Sequence, residues 1–363
     1  MLVSTPRVRL RPDVAAIVPY RQGRTAAADA FKLSSNENPN PPLPSVLAVL
    51  ADVEPNRYPD GASTAVREAI GARWQVSPER VHVAAGSVAI LGNLIAATCT
   101  PGDSVLYAWR SFEGYPLLVS TAGASSIQVP LTADSRHDLP AMAAAVTPTT
   151  RLILLCSPNN PTGPIIRRDE FEAFMRLVPP TVLVVLDEAY AEFVTDPDAV
   201  HGEDVLDAHQ NVVVLRTFSK AYGLAGLRIG YMIGAEYLCD AARAVAVPLG
   251  VTDLAQRAAI ASLEHEDELL ERVAELIERR EQIRDALLAQ GWDVPPAQGN
   301  FVWLPTGDAT PQAAAIFERG GIVVRALGEG IRISIGEGDA VEKLLRSAQE
   351  VVDTLRLTPG NPG

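Results

Sequence analysis

Residues 212–228 read VVVLRTFSKAYGLAGLR, an apolar run that leads directly into hydroxyl, small and charged residues. An apolar run without polar alternation is typical of a strand that is buried on both faces of a parallel sheet. Lys220 follows the end of this predicted strand, between hydroxyl residues and ahead of Arg228. A lysine amine in this setting suits a Schiff-base nucleophile that lies beside a phosphate group.

Two further apolar runs end in comparable chemistry. Residues 152–163 read LILLCSPNNPTG, and residues 182–190 read VLVVLDEAY. Ligands of open parallel sheets bind beyond the carboxyl ends of the strands. We therefore expect Asn160, Asp187 and Lys220 to lie close together at one edge of a sheet.

The composition limits the class of protein. With 47% hydrophobic and 21% charged residues the chain is an ordinary globular one, and its 363 residues predict about two domains. A net charge of −13 argues against nucleic acid as a partner, because like charges repel. The three cysteines are too few and too scattered for a disulfide framework, and the five histidines form no ligand-spaced cluster, so we expect no metal. There is no signal-peptide pattern and no apolar window of membrane-spanning length, so we expect a cytoplasmic protein without a membrane partner.

The pattern along the chain predicts three parts. Residues 1–44 form an N-terminal arm and crossing segment, residues 45–250 a large domain, and residues 251–363 a small C-terminal domain. Helical and apolar segments alternate between about 60 and 235, which predicts an α/β sheet covered on both faces. The predicted elements include a helix with Ser45 as its N-cap, a long charged helix over about 264–290, and strands at Phe301–Leu304, Ile322–Arg325 and Ile331–Ile335.

Taken together, the three strand ends resemble the cofactor site of the pyridoxal-phosphate aminotransferases of fold type I. The subgroup that the chain resembles holds the histidinol-phosphate and aromatic amino-acid aminotransferases, and the resemblance extends from about residue 10 to residue 355. It implies a mostly parallel central sheet with helices on both faces, plus a smaller α/β C-terminal domain. It also implies pyridoxal 5′-phosphate as the cofactor and a homodimer with shared active sites.

The resemblance assigns roles at the strand ends. Lys220 would hold the cofactor as a Schiff base and then move the proton as a general base. Asp187 would pair with the ring nitrogen of the cofactor and keep it protonated. Tyr190 and Asn160 match the two donors to the ring oxygen.

The remaining cofactor contacts follow from the same resemblance. The phosphate would be held by backbone amides at a helix start and by hydroxyl and guanidinium donors. These phosphate contacts are Gly86, Ser87, Val88, Thr217, Ser219 and Arg228. Phe112 falls where the family stacks an aromatic ring on the cofactor. Tyr58, in Arg57-Tyr58-Pro59, matches the tyrosine that reaches the phosphate of the neighbouring subunit.

Four residues are expected to contact the substrate. Arg332, in an otherwise apolar strand, would clamp the α-carboxylate. Arg325 matches a second arginine that holds the phosphate in histidinol-phosphate enzymes. Asn36 would contact the α-carboxylate, and Tyr20 would line the substrate pocket.

The segment WRSFEGY, residues 109–115, looks more like the aromatic aminotransferases than like the histidinol-phosphate enzymes. The resulting hypothesis is a transaminase that moves the amino group of phenylalanine, tyrosine or tryptophan to 2-oxoglutarate. Histidinol-phosphate aminotransfer in histidine biosynthesis remains the alternative, with a decarboxylase on the same scaffold more distant. A non-catalytic pyridoxal-binding regulatory module also remains open, although no helix-turn-helix pattern precedes the arm.

Overall fold

The computed structural model describes residues 29–51 and 53–355, together with six single positions nearer the N-terminus. Its strands, β1 to β12, are Phe31–Lys32, Val81–Ala84, Ser104–Trp109, Ser125–Pro130, Thr150–Cys156, Leu183–Asp187, Val212–Thr217, Gly230–Ile233, Phe301–Leu304, Ile322–Val323, Arg325–Ala326 and Ile331–Ser334. Its α-helices, α1 to α12, are Pro44–Leu50, Thr64–Trp74, Ser87–Thr98, Gly114–Ala122, Leu139–Ala144, Arg168–Met175, Gly202–Val205, Glu236–Ala244, Asp253–Glu264, Glu266–Ala289, Thr310–Arg319 and Val341–Leu355.

Seven strands form the central sheet in the order β2-β8-β7-β6-β5-β3-β4. Strand β8 is antiparallel to both of its neighbours, and every other neighbouring pair is parallel. The prediction of a mostly parallel central sheet is therefore confirmed. The three apolar runs read from the sequence are β5, β6 and β7, adjacent strands at the middle of the sheet.

The continuous apolar character of these strands follows from helices on both faces of the sheet. Leu152 and Leu154 of β5 pack with residues of α3, α4 and α8, whereas Ile153 and Leu155 pack with residues of α5 and α6. All four leucine and isoleucine side chains are fully buried. Because successive side chains of a strand point to opposite faces, a strand covered on both sides needs apolar residues at every position.

The C-terminal part is built on a smaller antiparallel sheet in the order β11-β12-β9. Its helices α10, α11 and α12 pack around it in one hydrophobic cluster that also includes residues from the arm and from α1. The chain before α1 contributes a strand of its own, since Phe31 and Lys32 of β1 pair in parallel with Ile322 and Val323 of β10.

Two local predictions are wrong. The single strand expected over Ile322–Arg325 is two short strands in different sheets, because β10 pairs with the distant β1 while Arg325–Ala326 pairs with β12. Helix α1 begins at Pro44 with Leu43 at the N-cap, so Ser45 lies inside the helix. Proline suits the first helical turn because its φ is already fixed there and its missing N–H would have no partner.

Within the described residues, no helix combines the length and the apolar character needed to cross a membrane.

Candidate active site

The ends of β5, β6 and β7 meet at one edge of the sheet. Asp187, the last residue of β6, is in register with Cys156 of β5 and Leu215 of β7. Lys220 follows β7 by three residues, and its Nζ donates a hydrogen bond to the carbonyl oxygen of Ser35 at 3.2 Å. The same Nζ lies 5.8 Å from the ring centre of Tyr190. The structure therefore brings the predicted amine and carboxylate together with Tyr190.

Burial shifts the protonation of Lys220. Removal from water lowers the pKa of its amine to about 7, and the nearby positive charge of Arg332 acts in the same direction. A substantial fraction of the amine is therefore uncharged at neutral pH. An uncharged amine is the form that acts as a nucleophile or accepts a proton.

Asp187 is held by a residue that the sequence analysis did not single out. The hydroxyl of Tyr115 donates to Asp187 Oδ2 at 2.7 Å, and the amide of Ala189 donates to Oδ1 at 3.3 Å. Asp187 is 5% exposed, and burial raises its pKa to about 6, while the bond from Tyr115 opposes that rise. A cation placed against this carboxylate would restore its charged form.

A polar network lies between the arm and the C-terminal sheet. Arg332, 6% exposed, donates to Asn160 Oδ1 at 2.6 Å and to the Ser34 carbonyl oxygen at 2.8 Å. The side-chain amide of Asn36 donates to the Tyr190 hydroxyl at 3.0 Å. These contacts bring Asn36, Asn160, Tyr190 and Arg332 together in a buried cluster next to Lys220, so Arg332 is not a solvent-facing strand residue.

The predicted phosphate contacts meet at the start of α3. Gly86 is its N-cap with φ +88°, and a Cβ there would lie 2.7 Å from Arg228 Nη2. Only glycine adopts this backbone conformation readily and leaves the space open for the guanidinium. Arg228 Nη1 donates to Ser219 Oγ at 3.4 Å, and the Ser219 amide donates to Thr217 Oγ1 at 3.1 Å. Ser87 and Val88 form the first turn of α3, as the sequence pattern predicts.

Phe112 and Arg325 border the same region. Phe112 packs edge-on against Tyr115, with ring centres 5.4 Å apart. Arg325 donates to Glu113 Oε1 from Nη2 at 2.6 Å and from Nε at 3.1 Å. Glu113 is not among the site residues that the sequence predicts.

Two predicted residues are not among those that the structure brings into this cluster. Tyr58 is 85% exposed, and Tyr20 is outside the described residues. Among the described residues, no three histidine, cysteine or acidic side chains come close enough to hold a metal ion. Cys99, Cys156 and Cys239 are buried free thiols.

Comparisons with known proteins agree on the family. Residues 28–347 match the sequence profile of "Aminotransferase class I and II". The aromatic amino acid aminotransferase of Streptomyces coelicolor is 50% identical over 96% of this chain and 99% of that protein. The protein of the same name from Thermobifida fusca is 51% identical over 94% of this chain and 96% of that protein.

Solved structures show the same fold. A histidinol-phosphate aminotransferase from Sinorhizobium meliloti in complex with pyridoxal-5′-phosphate has a TM-score of 0.87 at 28% identity, over 97% of this chain and 100% of that chain. A Thermus thermophilus aspartate aminotransferase variant has a TM-score of 0.83 at 23% identity, over 95% of this chain and 100% of that chain. The sequence profile, the identity over almost the full length and the shared fold lead to one conclusion: the chain belongs to the class I and II aminotransferases, the pyridoxal-phosphate-dependent transferases of fold type I.

Proposed function

We propose that this enzyme moves the α-amino group of an aromatic amino acid to 2-oxoglutarate, with Lys220 as the residue that holds the cofactor. The observation that carries the proposal is the cluster in which the Lys220 amine and the Asp187 carboxylate, at one edge of the central sheet, lie near the Arg332 guanidinium of the C-terminal sheet. The aromatic substrate is supported by relatives of that name at 45–51% identity over nearly the full chain.

The residues present fit pyridoxal phosphate. Asp187 is buried and its pKa is raised, because its charged form has lost the stabilisation by water. A cationic partner such as a protonated ring nitrogen would stabilise that charged form. The Arg228 guanidinium packed against Gly86, together with the hydroxyl of Ser219, suits a phosphate group at the start of α3. When bound, the cofactor supplies an aldehyde for the amine and a ring that withdraws electrons from the substrate carbon.

The side chains of the cluster supply the remaining chemistry. Lys220, with its pKa near 7, accepts and returns the proton at the substrate Cα. Arg332 binds the substrate α-carboxylate in bidentate fashion, with Asn36 beside it. Tyr190 and Asn160 would hold the ring oxygen of the cofactor through their polar groups, and Phe112 would hold the ring through its aromatic side chain. Each of these residues binds or orients a group, and Lys220 alone moves the proton.

The proposal extends to the assembly and its location. The exposed ring of Tyr58 is available to reach the site of a second subunit, which would make the enzyme a homodimer with shared sites. Free buried thiols fit the reducing cytoplasm. The division into an arm, a large domain and a small domain at residues 44/45 and 250/251 also remains a prediction.

A panel of amino donors tests the substrate. Purified enzyme loaded with pyridoxal phosphate is given 2-oxoglutarate and, separately, phenylalanine, tyrosine, tryptophan or histidinol phosphate. We expect kcat/KM for at least one aromatic donor to exceed that for histidinol phosphate by on the order of a hundredfold, a difference set by fit in the side-chain pocket. A preference for histidinol phosphate would replace the proposal with its alternative. Bound cofactor without turnover of any donor would instead indicate a regulatory module.

A further inference from the structure

The backbone of Asn36 is held by side chains from two places in the C-terminal part. Its amide donates to Ser334 Oγ in β12 at 2.8 Å, and its carbonyl oxygen accepts from Nδ2 of Asn300, which precedes β9, at 3.2 Å. All three residues are buried. Asn36 has φ +51°, a left-handed conformation that a non-glycine residue keeps only where its surroundings fix it. The C-terminal sheet therefore fixes Asn36, although Asn36 belongs to the segment before α1.

The side chain of Asn36 connects Ser334 to Tyr190. Ser334 Oγ donates to Asn36 Oδ1 at 3.0 Å, and Asn36 Nδ2 donates to the Tyr190 hydroxyl at 3.0 Å. Because the Ser334 oxygen accepts from the Asn36 backbone amide, the hydrogen of its own hydroxyl is available for Oδ1. This bond turns the oxygen of the Asn36 side chain toward Ser334 and its NH₂ group toward Tyr190. The Tyr190 oxygen is thereby an acceptor.

A tyrosine oxygen that accepts a hydrogen bond leaves its own hydrogen for another partner. The Tyr190 ring packs edge-on against Phe301, with ring centres 5.0 Å apart, and is buried, so its position is restricted. Lys220 Nζ lies 5.8 Å from the centre of the same ring, which places Tyr190 beside the proposed cofactor position. A hydroxyl that accepts one hydrogen bond is a stronger donor in the next, because successive hydrogen bonds polarise one another.

We propose that Ser334 is a positioning residue that, through Asn36, directs the hydrogen of Tyr190 to the ring oxygen of the cofactor. This inference rests on the proposed function, because it takes Tyr190 as a donor to that oxygen. A donated hydrogen bond stabilises the oxygen as an anion, so a proton on the bound cofactor is held less tightly. Ser334 thus lowers the pH at which the bound cofactor loses its proton.

The test is a pH titration of the cofactor absorbance in the loaded enzyme, which needs no turnover. Ser334→Ala removes the donor to Asn36 Oδ1, so the Asn36 side chain can turn and its bond to Tyr190 weakens. We expect the midpoint of the titration to rise by about 0.5 to 1 pH unit, the effect of weakening one hydrogen bond.

Two other substitutions of Ser334 and one control accompany this variant. Ser334→Thr retains the hydroxyl and should keep the midpoint of the unmodified enzyme. Ser334→Cys fills the same space with a weak donor, so it should give a smaller rise and serves in place of Ser334→Ala if that variant does not fold. Ser262→Ala in α9 removes another fully buried hydroxyl, which donates to the Ala258 carbonyl oxygen at 2.7 Å, and should leave the midpoint unchanged.

A double variant distinguishes positioning from a general structural effect. Tyr190→Phe alone should raise the midpoint, because it removes the donor to the ring oxygen. Ser334→Ala should then add no further rise in the Tyr190→Phe background, since no hydroxyl is left to direct. If Ser334 acted only on packing, its substitution would shift the midpoint by the same amount in both backgrounds.

Three results would overturn the inference. These are an unchanged or lower midpoint in Ser334→Ala, an equal rise with and without the Tyr190 hydroxyl, and an unchanged midpoint in Tyr190→Phe. Failure of the proposed function looks different. In that case the unmodified enzyme would turn over no aromatic donor, whereas the absorbance titration would still report on Ser334.

Discussion

Burial acts in opposite directions on the two titrating groups at the centre of the site. It lowers the pKa of Lys220 to about 7 and raises that of Asp187 to about 6, because in each case water stabilises the charged form. The two residues thus come close in proton affinity although their usual values lie far apart. Before the cofactor binds, both groups hold less charge than they would in water, and a cofactor with a cationic ring nitrogen restores the charge of Asp187.

The raised pKa of Asp187 predicts that the free energy of unfolding of the cofactor-free protein depends on pH. Between about pH 4 and pH 6 the folded state binds more protons than the unfolded state, so the free energy of unfolding falls as pH rises and stays lower above pH 6. Asp187→Asn removes this cost, and at pH 7.5 its cofactor-free form should be more stable than the unmodified protein by up to about 3 kcal/mol. Urea unfolding at pH 4.5 and pH 7.5 measures the difference.

Two outcomes separate this explanation from a general packing effect. The gain of Asp187→Asn should be small at pH 4.5, where the carboxyl group is protonated in the folded protein. With pyridoxal phosphate present at pH 7.5, the order should reverse, because the variant has no charge to offer the ring nitrogen. A gain in stability of equal size at both pH values would contradict the explanation that the raised pKa of Asp187 lowers the stability.

Tyr115 is expected to hold Asp187 in its charged form. Tyr115→Phe removes the hydroxyl that donates to Asp187 Oδ2 while it keeps the ring, so the pKa of Asp187 should rise further. We expect the affinity for pyridoxal phosphate to fall on the order of tenfold, the effect of losing one hydrogen bond to a charged group. Equilibrium dialysis of the cofactor measures this.

A matched control lies next to Tyr115. Tyr107 is also fully buried, its ring centre lies 5.7 Å from that of Tyr115, and its hydroxyl donates to Ser126 instead. Tyr107→Phe therefore removes the hydroxyl of a second buried tyrosine ring without touching Asp187. Equal losses of cofactor affinity in both variants would mean that Tyr115 acts through packing and not through the carboxylate.

At the scale of elements, helix α10 depends on a buried charge. Arg280 is fully buried, and its Nη1 donates to the carbonyl oxygens of Phe193 and Gly299 at 2.8 and 3.2 Å. These bonds fix the 24-residue helix against the turn after β6 and the loop before β9. Arg280→Ala should lower the free energy of unfolding by about 3–5 kcal/mol, since it leaves buried carbonyl groups without a donor and opens a cavity.

Denaturant unfolding of the cofactor-free protein checks the cost of Arg280→Ala. Its control is Arg346→Ala on α12, which breaks an ion pair with Glu342 between side chains that are 69% and 86% exposed. An exposed pair of this kind contributes less than about 1 kcal/mol. If both variants lost the same stability, the buried bonds of Arg280 would not be what holds α10 in place.

The elements that the sequence predicts well are those with a local signal. Strands β5, β6 and β7 were found because continuous apolar runs end in polar residues, and the same signal placed Asp187 and Lys220 at one sheet edge. Strand β8 was not predicted, since its four residues begin with glycine and it pairs with the distant β2 and β7.

Which side chains contact each other within the site could not be predicted from the sequence. Tyr115 and Asp187 are 72 positions apart, and Glu113 and Arg325 are 212 positions apart. Neither pair shares a helix or a strand, so no periodicity of the sequence links its members. The residues proposed to perform the chemistry follow strand ends and can be predicted from the sequence, whereas their hydrogen-bond and ion-pair partners are fixed only by tertiary packing.

At the scale of the whole molecule, the role of Tyr58 decides whether the active site is shared between two subunits or complete in one chain. If Tyr58 contacts the phosphate of a neighbouring subunit, Lys220→Ala damages the site of its own chain, whereas Tyr58→Ala damages the site of the neighbouring chain. A hybrid dimer of these variants then contains one site with both residues intact, the Lys220 of one chain and the Tyr58 of the other. Because the hybrid has one intact site out of two, the isolated hybrid should have about half of the activity of the unmodified enzyme.

The mixing experiment needs subunit exchange that is verified independently. The two inactive variants, carrying different affinity tags, are unfolded, mixed and refolded with cofactor, and dimers that bind both tags are isolated and assayed with phenylalanine. A mixture of Lys220→Ala with Asp187→Ala serves as the control. Both residues contribute to the site of their own chain, so a hybrid of these two variants contains no intact site. Recovery in the first mixture alone is the expected result. If the isolated hybrid of the first mixture stayed inactive, Tyr58 would act within its own subunit or not at all, and the active site would be complete in a single chain.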